Sequence, residues 1–228
     1  MRLIARADDE LYGLASVATK LGRIDKLLVR LGEVARSSPD DAGATFTHAL
    51  AEMAMLTGSA AGLDTHARFT GLIERYGRVL ASEPGHWLAR YSRARLRALI
   101  PSSYGMIADQ PSGELSAAAA ELAELLDRQA AVEWQPYFAS SHALAAVVGY
   151  LSGDHAGSAA QLDRLLACPP ARSGLPALGA LLCEPLVTLH ATSAEPDRTR
   201  LRELAAVLYG DQPAVIRMVQ RQPAASMP

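Results

Sequence analysis

Apolar residues in this chain recur every three or four positions through segment after segment, and glycine, proline or serine separates one segment from the next. The clearest case is residues 136–170, PYFASSHALAAVVGYLSGDHAGSAAQLDRLLACPP. Pro136 sits where the first turn of a helix tolerates proline, because that N–H has no partner anyway. Gly153-Asp154 closes one helix and caps the next. Leu162, Leu165 and Leu166 give the second helix an apolar stripe, and Pro169-Pro170 ends it. The pattern predicts a complete helical hairpin.

The same plan extends over most of the chain. Helices are predicted at Glu10 to Lys20 and Ile24 to Arg36, joined at Gly22 and closed by Pro39. Apolar or small residues fall at Leu11, Leu14, Ala15 and Ala18 in the first, and at Leu27, Leu31 and Val34 in the second. A helix from Ala44 to Leu56 carries Phe46, Leu50 and Met53 inward, and one from Ala67 to Ala81 carries Phe69, Leu72, Ile73, Tyr76 and Leu80. Further helices are predicted at His86 to Ile100, stopped by Pro101, and at Gly113 to Ala131. Leu175 to Ala191 follows, kinked or broken at Pro185, then Asp197 to Tyr209, ended by Gly210. Gln212 to Gln220 makes a short cap. Thr57 to Gly62 reads as a linker, and Ser102 to Ser112, the least helical stretch in the middle of the chain, as a loop that is either functional or merely mobile.

Half of the residues are hydrophobic but only 5% are aromatic, so the apolar content is mostly alanine, leucine and valine. Those favour helix, and no run of β-branched residues alternates as a strand does, so the fold class is all-α. The 228 residues are enough to bury a core without staples. The expected organisation is one extended domain over residues 1–221 and a loose tail, 222–228.

Residues 8–39 follow the spacing W-x2-L-G-x2-Y, A-x3-F, P of the ~34-residue tetratricopeptide motif. Leu27 and Ala18 stand where that motif prefers alanine and tyrosine. The chain resembles a degenerate tetratricopeptide-repeat protein, most clearly over 8–39 and 136–170, partly over 67–100, and elsewhere in architecture alone. The resemblance implies an antiparallel α-solenoid of about five hairpins plus a C-terminal capping helix. It also implies a concave groove, lined by the first helix of each hairpin, that binds a protein or peptide.

A net charge of −2 and a pI near 6.3 give no global pull toward nucleic acid or an anionic membrane. No window approaches the ~18 apolar residues of a membrane span. MRLIARADDELYG lacks the apolar core of an export signal, so a cytoplasmic protein with Cys168 and Cys183 as reduced thiols is expected. Lys20 and Lys26 are the only lysines in an alanine- and arginine-rich chain, as base composition in a GC-rich bacterium produces.

On the helix His86 to Ile100, one narrow stripe holds His86, Arg90, Arg93 and Arg97. In a groove that stripe would suit a partner with acidic groups; the plainer alternative is a solvated arginine face paired with Glu114, Glu121 and Glu124. Arg95 falls on the opposite face among Trp87, Leu88 and Tyr91. A guanidinium placed there must be paired, stacked or turned to a ligand. The candidate binding set is therefore Arg90, Arg93, Arg95 and Arg97 for polar contacts, with Trp87 and Tyr91 as apolar anchors.

His48 and Glu52 share an i, i+4 face, but no second ligand pair accompanies them, so no metal is expected. No G-x-S-x-G elbow and no glycine-rich phosphate loop occurs. The sequence therefore points to a binding scaffold without cofactor rather than to an enzyme. The rival is an enzyme or biosynthetic accessory whose helices enclose a small-molecule pocket, with groups drawn from His48, Tyr104, Glu133 and His142. A third possibility is self-association along exposed apolar helix faces, giving a homo-oligomer.

Overall fold

The computed structural model describes residues 1–58, 65–104 and 113–210, and among these it has ten α-helices, one 3-10 helix and no β-strand. The chain falls into two compact units, Met1–Asp109 and Gln110–Pro228. Among the described residues no helix is long and apolar enough to cross a membrane.

The first unit contains α1 (Arg6–Lys20), α2 (Ile24–Ser37), α3 (Ala42–Gly58), α4 (Thr65–Ser82) and α5 (Trp87–Tyr104). α1 begins a turn earlier than the apolar spacing suggests. The Asp8 carboxylate accepts a hydrogen bond from the Ala5 N–H at 2.8 Å, and Asp8 and Asp9 lie in the first turn, where the helix dipole favours negative charge. Gly22, at φ +65°, reverses the chain between α1 and α2 in the left-handed region that glycine adopts at no steric cost. α3 is the hub, packed on α1, α2 and α4, while α4 packs on α5. Its residues are accordingly buried all round, from Phe46, Ala49, Leu50 and Ala51 to Met53 and Ala54, and the alanines let its neighbours approach closely. Leu72, Tyr76 and Val79 of α4 and Trp87, Leu88 and Tyr91 of α5 complete this core.

The second unit contains α6 (Gly113–Ala130), a 3-10 turn at Pro136–Phe138, α7 (Ala139–Leu151), α8 (His155–Leu166), α9 (Gly179–Thr192) and α10 (Asp197–Tyr209). α7 is central and packs on α6, α8 and α9; α10 packs on α9. The predicted hairpin over 136–170 is formed. Gly153 turns the chain at φ +78°, and the Asp154 carboxylate accepts from the Gly157 N–H at 2.9 Å to cap α8. The helices cross at Gly149, where a Cβ would come within 3.1 Å of the Ser158 backbone nitrogen. The Ser158 hydroxyl donates across the same contact to the Ala146 carbonyl at 2.7 Å.

Later boundaries also differ from expectation. α5 runs through Pro101 to Tyr104 instead of stopping at Ile100. α9 starts at Gly179 rather than Leu175, and it continues through Pro185, which is buried in the helix interior. Packing of Leu181, Leu182, Leu186 and Leu189 on the core holds both sides of that proline. The predicted cap 212–220, the linker residues 59–62 and residues 105–112 lie outside the described residues.

Candidate functional site

The predicted binding residues all come from α5, whose start is tied to the N-terminal segment. The Arg2 N–H donates to the Gly85 carbonyl at 2.8 Å, and the Trp87 N–H donates to the Arg2 carbonyl at 3.0 Å. The Arg2 guanidinium reaches Glu83 at 3.0 Å and lies 5.5 Å from the centre of the Phe46 ring, an ion pair and a cation–π contact together. Beneath it the His86 ring packs 4.1 Å from that of Phe46. His86 Nδ1 accepts from the Ala89 N–H at 3.3 Å, so the imidazole caps α5 while its Nε2 is buried with no hydrogen bond. Burial, and secondarily the Arg2 charge, push the His86 pKa down to about 4. The ring is neutral at physiological pH.

Trp87 and Tyr91 stack at 5.0 Å with 9° between their planes, and neither has exposed surface. Arg90 is buried and donates to the Pro84 carbonyl at 2.9 Å, folding back over the α4–α5 turn. Arg95 is buried on the other face, and its Nη1 lies 3.6 Å from the Met53 sulfur. Arg93 crosses α4 at Gly77, where a Cβ would stand 3.2 Å from its Nη1. Arg93 and Arg97 are half-buried. The stripe His86, Arg90, Arg93 and Arg97 thus runs from full to half burial along α5 and is not a solvated face.

Other titratable groups are held by structural partners. Glu52, one turn after His48 on α3, is ion-paired with Arg75 of α4. His48 packs on α2, where a Cβ on Gly32 would meet its Cε1 at 3.4 Å, and burial followed by the Arg75 charge lowers its pKa. His142 Nδ1 lies 2.9 Å from the Gln161 amide oxygen, and burial lowers its pKa too. Glu133 is exposed, and the Tyr104 side chain lies outside the described residues. In the second unit the Ser141 hydroxyl bridges Gln129 Oε1 and the Phe138 carbonyl, both at 2.7 Å. Among the described residues no group of three or more His, Cys, Asp or Glu side chains is placed to hold a metal ion. Cys168 and Cys183 are both free thiols, and burial pushes them up to about 11 and about 12.

In the first unit an open cleft of about 260 Å³ lies where the start of α3 meets the end of α4, lined by Pro39, Asp40, Thr45, Arg78 and Ser82 among others. It contains none of the residues chosen from the sequence.

A surface feature escaped the sequence reading. The buried residues of α1 are Asp8, Asp9, Tyr12 and Ala15; Tyr12 packs inward, with its hydroxyl 2.8 Å from that of Thr57 on α3. On the opposite side Leu14, Val17 and Leu21 are 59%, 53% and 64% exposed. Their spacing, i, i+3 and i+7, makes one continuous stripe. Val29 and Val34 of α2 are also exposed, but five residues apart they face different directions and extend no stripe. The signal was present in the sequence as a second apolar face on α1, masked because Leu14 and Ala15 both fit a single inward stripe. No protein-family model, curated protein or solved structure matches the chain.

Proposed function

We propose that this protein is an interaction scaffold of stacked helical hairpins, related in plan to tetratricopeptide repeats, and that its contact surface is the outer face of α1. The stacking is supported by next-but-one packing, α1 on α3 and α7 on α9, which tandem hairpins require. The observation that carries the functional reading is the stripe of Leu14, Val17 and Leu21, turned away from the core and more than half exposed. Covering the remaining surface of each side chain contributes about 1 kcal/mol. A contiguous apolar stripe left in water is the mark of a protein contact.

This reading places the contacts on α1 and not on Trp87, Tyr91, Arg90 and Arg95, whose side chains are spent inside the first unit. The test is the size of the protein in a lysate of its own host, measured by native mass spectrometry after gentle enrichment. The parent chain is expected in assemblies heavier than its own 24.2 kDa. The variant carrying Leu14→Glu and Val17→Glu, with unchanged helical circular dichroism, is expected at the single-chain mass. Identical distributions for the two would refute the proposal.

A further inference from the structure

We infer that the occupant of the α1 face is a second copy of this chain, its α1 packed antiparallel against the first; this rests on the reading of that face as the contact surface. The stripe has the spacing of a coiled-coil seam. Leu14 and Leu21 fall at a positions and Val17 at d, and the next d position toward the N-terminus is Glu10, which is exposed. Lys20 is exposed as well and flanks the seam at its other end, beside Leu21. Glu10 toward one end, Lys20 toward the other and apolar residues between make a surface that complements itself when one copy is reversed against the other.

In an antiparallel pair whose twofold axis passes between Leu14 and Val17, Leu14 meets the partner's Val17 and Glu10 meets the partner's Leu21. Glu10 then lies within reach of the partner's Lys20, twice per dimer. Parallel pairing would instead oppose Glu10 to the partner's Glu10 across the seam. Within its own helix Glu10 pairs with Arg6 at 2.8 Å, but that pair is almost fully exposed and gives little resistance to a new partner. A one-helix seam is a small interface, so the dimer is of the weak, concentration-dependent kind.

The experiment is sedimentation equilibrium of the full chain at protein concentrations from about 5 to 500 µM, a range that brackets weak association. The mean mass is expected to rise from 24.2 kDa toward twice that value. Leu14→Glu combined with Val17→Glu is expected to hold the chain monomeric throughout. Glu10→Lys alone, which turns two attractions into two repulsions, is expected to weaken the dimer about tenfold, and adding Lys20→Glu to recover most of that loss. Circular dichroism confirms folding of each variant, since all four positions are on the surface. A single-chain mass at every concentration overturns the inference, as does a dimer indifferent to α1 or a charge exchange that fails to recover. If the chain is monomeric but a photo-crosslinker at Val17 joins it to a different protein, the second copy is refuted while the scaffold reading stands. If it joins to nothing, both fall.

Discussion

His86 provides a direct measure of how the first unit responds to acid. Its imidazole is buried against Phe46, feels the opposing charges of Arg2 and Glu83, and caps α5 through Nδ1. With a pKa of about 4 in the folded chain against 6.5 for a free histidine, the unfolded chain takes up the proton first as pH falls. Stability is therefore full above pH 6.5 and is lost as pH drops from there toward 4. At pH 5.0 the difference between the two titrations amounts to about 2 kcal/mol. The assay is urea unfolding at pH 7.5 and pH 5.0, followed by Trp87 fluorescence in a Trp134→Phe background so that the signal reports the first unit alone. The informative variant is His86→Asn, because asparagine also caps a helix but does not titrate. It is expected to lose less than half as much stability between the two pH values as the parent, the remainder coming from His48, whose pKa is lowered as well. Equal losses in parent and variant would show that His86 is not the source of the acid sensitivity.

Three further outcomes follow from the second unit. Gly149→Val forces a branched side chain against the Ser158 backbone, 3.1 Å from the Cβ position, and is expected to cost about 1–3 kcal/mol in thermal unfolding followed by circular dichroism; an unchanged melting temperature would mean that α7 and α8 do not cross there. Ser141→Ala strands the buried Gln129 amide oxygen and is expected to cost about 1–3 kcal/mol in the same assay, with a loss under about 0.5 kcal/mol contradicting the bridge. Cys183, with its thiol pushed up to about 12 and its side chain buried, is expected to react with a disulfide reagent at pH 8 only after denaturation. Fast reaction in the folded chain would place it at the surface.

Helix positions were readable from the sequence because alanine and leucine spacing, Gly22, Gly153 and Asp154 act locally. The hairpin at 136–170 closes at the glycine and aspartate that its sequence nominates. Failures came where packing decides. Pro101 does not end α5, and Pro185 does not break α9, whose buried leucines on both sides of the proline pack on the core. The arginines of α5 share a face in any helical projection, yet only the packed structure separates buried Arg90 from half-buried Arg93 and Arg97. Likewise the two apolar faces of α1 look alike in sequence. The hydroxyl contact between Tyr12 and Thr57 fixes which one turns inward, and the other is left as Leu14, Val17 and Leu21.

The account depends most on the outer face of α1 being covered by protein in the cell. A photo-crosslinking residue placed at Val17, activated in living host cells, tests this directly, with the same residue at exposed Glu203 of α10 as the control. The account predicts a discrete crosslinked species from Val17, containing a second copy of the chain, and none of comparable yield from Glu203. Equal, diffuse or absent crosslinking from the two positions would contradict it.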